Sequence, residues 1–88
     1  MEINLSEHQV LKSGKTVNLK PLEYDLLVLL AKNKNMAFTR EQLLNQVWGS
    51  DYLGETRTVD VHIGQLRKKL GLSEIIVTIP KIGYRLED

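Results

Sequence analysis

The hydrophobic and polar positions change period three times along the chain. Residues 2–19 alternate: Ile3 and Leu5 bracket Asn4, Val10-Leu11 precedes Lys12, and Val17 and Leu19 bracket Asn18. That period of two predicts short strands, and Ser13-Gly14 between the last two runs predicts a hairpin turn. From about Pro21 to Asn33 the period becomes helical, with Leu22, Leu26, Leu29 and Leu30 as its apolar stripe. Pro21 suits a first helical position, Glu23 and Asp25 favour the positive end of the helix dipole, and Lys32 and Lys34 the negative end. Met36-Ala37-Phe38 reads as a short extended link. Thr39 opens a second helix with a capping box closed by Gln42 and a staple of Phe38 on Leu43. Leu43, Leu44, Val47 and part of Trp48 face inward, and Gly49 ends that helix.

After a loop at 49–55, GSDYLGE, a third helix runs from about 57 to 70. At about 100° per residue Val59, Ile63, Leu66 and Leu70 form one narrow stripe, a core-facing seam. The opposite face carries Val61, Gln65 and Lys68, flanked by Thr58 and Lys69 on one side and Arg57 and Gly64 on the other. Gly71 ends the helix. Ile75 to Ile79 and Tyr84 to Leu86 then form a hairpin around Pro80-Lys81-Ile82-Gly83. The order is strands, helix, helix, helix, hairpin. It predicts an α+β single domain over residues 1–88 of winged helix-turn-helix type: a small N-terminal antiparallel sheet, three helices and a C-terminal β-hairpin wing at 75–86.

Charge sharpens this picture. Twelve Lys/Arg against eleven Asp/Glu leave the chain at only +1. Yet 56–70 holds four basic residues (57, 67, 68 and 69) against one acid, Asp60, a local net of +3. A helix with a buried seam and a basic, hydrogen-bonding outer face fits a DNA major groove. Val61 on that face reads either as an isolated exposed valine or as a contact to a thymine methyl. His62, on the flank, reads either as a half-buried helix histidine or as a ring N–H donor.

Other chemistry finds little footing. There is no cysteine, which excludes disulfides and thiolate metal sites. Gly14-Lys15-Thr16 resembles the end of a phosphate loop, but position 9 is glutamine and a strand follows. Glu23 and Asp25, two apart on a helix, point in different directions and make no acid–base pair. His8 and His62 lie in different elements. No metal, cofactor or enzymatic activity is expected. The longest apolar run, Leu26 to Ala31, is too short for a membrane span, and MEINLSEH has no secretion signal, so a cytoplasmic location is expected.

Four segments in order carry a family resemblance: LKPLEYDLLVLLA at 19–31, FTREQLLNQVWG at 38–49, TRTVDVHIGQLRKKL at 56–70 and IGYRL at 82–86. Together they resemble the OmpR/PhoB-type winged-helix effector domains of bacterial two-component response regulators. The resemblance implies a third helix in the major groove and a wing at the adjacent minor groove. It implies base contacts from Val61 and Gln65, with Lys68 and Thr58 beside them. It implies backbone contacts from Trp48, Arg57, His62 and Arg67, with Lys69, and further ones from Thr78 and Tyr84. Lys81 and Arg85 are the candidates for the minor groove. The loop holding Asp51, Tyr52 and Glu55 resembles the one through which some members touch RNA polymerase. The resemblance further implies an upstream receiver domain, absent from this chain, control by phosphorylation, and a dimer on direct-repeat half-sites from a domain that is monomeric alone.

The chain departs from the pattern in places. Gly64 stands where many members carry arginine. Pro80-Lys81 replaces Arg-Gly at the wing, Lys20 replaces the N-cap threonine of the first helix, and the first of four N-terminal strands is missing. The rival reading is a winged-helix protein-interaction module, which the low net charge would suit. Salt dependence of binding separates the two.

Overall fold

The computed structural model describes residues 2–7 and 9–87; His8 lies outside them. Strands β1 (Glu2–Asn4), β2 (Gln9–Lys12) and β3 (Lys15–Val17) form an antiparallel sheet in that order. Ser13 and Gly14, both at positive φ (53° and 78°), make the two-residue turn between β2 and β3, the conformation that matches strand twist. The expected hairpin is therefore present.

Helix α1 spans Pro21–Lys32. Lys20 is its N-cap, and its backbone N–H donates to Glu23 Oε1 at 3.0 Å. The reciprocal half of a capping box is missing, because an ammonium group has no lone pair to accept with. Leu26 and Leu30 are fully buried as the stripe predicts, but Leu22 and Leu29 are only half-buried. Tyr24 and Leu27 take their place in the core. Glu23, expected only to complement the dipole at the helix start, is 1% exposed. The stripe shifts because α1 is covered on two sides, by the other helices and by the N-terminal sheet.

The expected extended link runs into a short strand that the sequence did not predict. Phe38–Thr39 forms β4, which pairs with Tyr84 and Gly83. Helix α2 (Arg40–Leu43) starts as predicted: Gln42 N–H donates to Thr39 Oγ1 at 3.0 Å, and Thr39 N–H to Gln42 Oε1 at 2.8 Å. It does not continue as an α-helix to residue 48. Leu44–Trp48 is a π-helical turn, in which Gly49 N–H is shared between Leu44 O, five residues back, at 3.2 Å and Asn45 O, four back, at 3.1 Å. Gly49 ends it at φ 105°.

Helix α3 (Arg57–Leu70) buries Val59, Ile63, Leu66 and Leu70 to 1% exposure or less. Gly71 at φ 64° supplies the left-handed C-cap. Strands β5 (Ile76–Ile79) and β6 (Gly83–Leu86) form the wing hairpin, and β4 extends it to a sheet ordered β4-β6-β5. Pro80 and Lys81 turn the chain, with Lys81 at φ 66° and Ile82 N–H donating to Ile79 O at 3.0 Å. Gly83 is not part of that turn. It lies in β6, where a Cβ would sit 2.0 Å from Phe38 O, so only glycine admits β4 at this spacing. Leu26, Leu27 and Leu30 pack with Leu43, Ile63 and Leu66 into one core that Val10, Ile76 and Leu86 close. Each such side chain contributes about 1.5–3 kcal/mol by leaving water. This core fixes the seam of α3 and so turns its opposite face outward.

Candidate nucleic-acid interface

Because the seam of α3 is buried at every turn, the residues half a turn away are presented to solvent. Val61 is 55% exposed, and Gln65 and Lys68 are exposed. Thr58 is half-buried on the same side, one turn before His62, and Arg57 is exposed at the helix start. Gly64 opens onto empty space: apart from its chain neighbours and the adjacent helix backbone, no atom lies within 4 Å of a Cβ built there. The outer face thus combines an apolar group, an amide and cations without a side chain at position 64.

Trp48, His62 and Tyr52 stand beside this face. The Trp48 and His62 rings meet edge-on with centroids 4.8 Å apart, and Tyr52 lies 6.4 Å from Trp48. His62 Nδ1 is 2.8 Å from Thr58 O. A carbonyl can only accept, so Nδ1 carries a proton. A neutral His62 ring then presents Nε2 as an acceptor, and the imidazolium is the form that could donate to a phosphate. In the following loop Asp51, Tyr52 and Glu55 are exposed, as is Leu53, at 98%. Leu53 was not among the expected site residues; an apolar residue between two polar loop ends carries no periodic signal.

The wing is tied to α3 by residues expected to touch DNA and by two that were not. Tyr84 is buried and its hydroxyl donates to Asp60 Oδ1 at 2.5 Å. Arg40 Nε donates to the same oxygen at 2.7 Å. Arg67 donates to Ile76 O through Nε (3.1 Å) and Nη2 (2.7 Å), and to Thr78 Oγ1 at 2.8 Å. Both guanidinium groups lie over the Tyr84 ring, 5.5 Å from its centroid. Burial alone would push the Asp60 carboxyl up, but the Tyr84 hydroxyl, Arg40 and the charge of Arg57 hold it below the usual carboxylate range. Burial and the neighbouring Asp60 push the Tyr84 phenol up, and Asp60 raises the Arg40 guanidinium. Arg40 and Asp60 were missed because their partners are far away in sequence.

Two further cations have partners within the fold. Lys69 Nζ donates to Glu23 Oε1 at 2.7 Å, and Lys12 of β2 donates to Leu70 O at the C-terminal end of α3. Arg85 pairs with Glu87. Lys81, at the wing tip, is exposed. Among the described residues no group of three His, Asp or Glu side chains could hold a metal ion.

The fold recurs in known proteins. The family described as "Transcriptional regulatory protein, C terminal" matches residues 14–86. The transcriptional regulatory protein SrrA of Staphylococcus aureus is 44% identical over 92 aligned residues, covering 99% of this chain and 38% of SrrA. The chain thus spans little more than a third of that relative. The DNA-binding domain of Bacillus subtilis CssR superposes with a TM-score of 0.90 at 36% identity over 97% of both chains. The Klebsiella pneumoniae RstA DNA-binding domain, solved in complex with the RstA box, gives 0.83 at 34% identity over 97% of this chain and 88% of that one. A buried-seam third helix, a three-stranded wing sheet and a family match over most of the length agree, and the chain belongs to the C-terminal effector domains of transcriptional regulatory proteins, of the OmpR/PhoB winged-helix type.

Proposed function

We propose that this chain binds double-stranded DNA sequence-specifically, with α3 in the major groove and the wing tip at the adjacent minor groove, and has no chemistry of its own. The observation that carries this reading is the outer face of α3: Val61, Gln65 and Lys68 are exposed on the side opposite a fully buried seam. A side-chain amide and a methyl group one turn apart can read base edges, while cations around them neutralise phosphates. The solved complex of RstA with its box supports the same use of this fold.

Within this reading Val61, Gln65, Lys68 and Thr58 contact bases. Arg57, Trp48, His62 and Arg67 line the phosphate backbone, and Lys81 reaches the minor groove. Lys69, Arg85, Thr78 and Tyr84 have internal partners and reach DNA only where a second donor or acceptor is left over. In the whole regulator a phosphorylated receiver domain upstream would promote paired binding to direct repeats. The loop with Asp51, Tyr52, Leu53 and Glu55 would meet RNA polymerase, in the cytoplasm. No helix among the described residues is long and apolar enough to cross a membrane.

The test is selection of bound duplexes from a random pool, followed by titration of the best site at several salt concentrations. A defined half-site and an affinity falling steeply with salt are expected. No enriched sequence and no salt dependence would favour a protein partner for α3 instead.

A further inference from the structure

We infer that the Thr78–Tyr84 rung of the wing hairpin, gripped by Arg67 and Asp60 of α3, is a clamp that sets how far the wing tip reaches relative to the outer face of α3. Tyr84, Asp60 and Thr78 are then positioning residues for the wing's contact with DNA. The inference rests on the DNA-binding reading above.

Thr78 and Tyr84 are directly opposed in the β5–β6 ladder, so their side chains leave the same face of the hairpin. Helix α3 holds both. Arg67 donates to Thr78 Oγ1, and Tyr84 donates to Asp60 Oδ1. Asp60 and Arg67 are seven residues apart, which is about 10 Å along the helix axis. Attachment at two separated points fixes the angle between hairpin and helix as well as their distance. Arg40 of α2 holds Asp60 from the other side, 2.7 Å from the oxygen that Tyr84 uses. Beyond the clamped rung only the Ile79–Gly83 pair and the turn at Pro80, Lys81 and Ile82 remain. The tip is therefore a short overhang on a fixed base.

The donor count agrees with positioning rather than contact. A phenol has one proton, and Tyr84 gives it to Asp60, so it cannot also donate to a phosphate. Arg67 uses Nε and Nη2 internally and keeps Nη1 for the DNA backbone. A wing held in place before binding loses less conformational freedom when it meets DNA, which raises affinity without adding a contact.

The test compares two duplexes carrying the selected half-site, one extending under the wing and one ending short of it. The parent should prefer the long duplex by roughly tenfold. Tyr84→Phe keeps the buried ring and loses only the hydroxyl; its long-to-short ratio should fall to about two or less. Thr78→Val, at an exposed position, should lower the ratio in the same direction. Asp60→Ala should match Tyr84→Phe, and Asp60→Asn, which retains an acceptor oxygen, should recover part of the ratio. Loss of folded protein weakens both duplexes equally and leaves the ratio unchanged, so simple destabilisation cannot imitate the effect. A parent-like ratio in Tyr84→Phe and Thr78→Val overturns the clamp, as does a parent ratio of one. Failure of DNA recognition itself looks different: the parent would then bind the half-site no better than a scrambled duplex.

Discussion

Lys69, in the last turn of α3, donates to the carboxylate oxygen of Glu23 that also accepts the backbone N–H starting α1. One buried oxygen thus joins the end of one helix to the beginning of another. Burial raises the Glu23 carboxyl, but the bonds from Lys69 and Lys20 N–H and the charges of Lys69 and His62 outweigh it, so its pKa lies below the ordinary glutamate value. The unfolded chain therefore takes up the proton first as pH falls. The stabilisation is complete above about pH 4.3 and is lost as pH drops through the lower folded value. Glu23→Gln should lower stability by about 1–2 kcal/mol near neutral pH, with the gap to the parent closing below about pH 4. Urea midpoints measured across that range check this. A gap independent of pH would mean that the charge on Glu23 is not what matters.

Gly64 is a mid-helix glycine with open space around it. Gly64→Ala should raise stability by about 0.5–1 kcal/mol through helix propensity and lost freedom of the unfolded chain. Gly64→Arg should gain a phosphate contact, with tighter binding and a salt slope larger by about one unit. Thermal midpoints and salt titrations measure the two effects separately. An alanine variant that is less stable than the parent would contradict the first.

Arg57 and Arg67 should separate by stability. Arg57 is exposed with no hydrogen bond among the described residues, whereas Arg67 bonds to Ile76 O and Thr78 Oγ1. Arg57→Ala is expected to lower the salt slope by about one unit and leave the denaturant midpoint unchanged. Arg67→Ala should lower both, with a stability loss of about 1–2 kcal/mol. Equal midpoints for the two variants would show that the Arg67 bonds contribute nothing to the fold.

For base reading the relevant pair is Val61 and Gln65, one helical turn apart and about 6 Å along the axis. A glutamine amide suits adenine and a valine methyl suits thymine. The selected half-site should therefore hold A·T pairs one to three steps apart under these residues. Gln65→Ala should relax one of them at a cost of about 1–3 kcal/mol against the best site, and Val61→Ala the other more mildly. Repeating the selection with each variant decides it; unchanged base preferences would remove this face from the readout.

Lys20→Thr supplies the acceptor that the α1 capping box lacks. A gain of about 0.5–1 kcal/mol is expected, because Glu23 already holds the Lys20 N–H. A lower denaturant midpoint would mean that the lysine side chain contributes something threonine cannot.

What was legible in the chain is what is decided locally. The α3 seam follows from spacing within one helix, the Thr39–Gln42 box from residues three apart, and the Ser13–Gly14 turn from two neighbours. What was hidden depends on distant partners. Phe38–Thr39 is a strand only because β6 returns beside it, and Gly83 was read as a turn glycine because the close approach of Phe38 O is invisible until that pairing exists. Glu23 can be buried only once Lys69 arrives from the far end of α3. That Tyr84 and Lys69 also hold the scaffold was hidden for the same reason, since their partners Asp60 and Glu23 lie far away in sequence.

The π-helical turn at Leu44–Trp48 has a consequence for insertions and deletions. A wide turn holds one residue more than a regular one and takes it up as a local bulge, so the chain beyond keeps close to the course it would have without the extra residue. Trp48, the last residue of that turn, meets His62 edge-on. In a regular helix, by contrast, removing one residue turns everything beyond it by about 100°. A single deletion between Leu44 and Val47 should therefore tighten the winding and disturb the molecule less than the same deletion within α3.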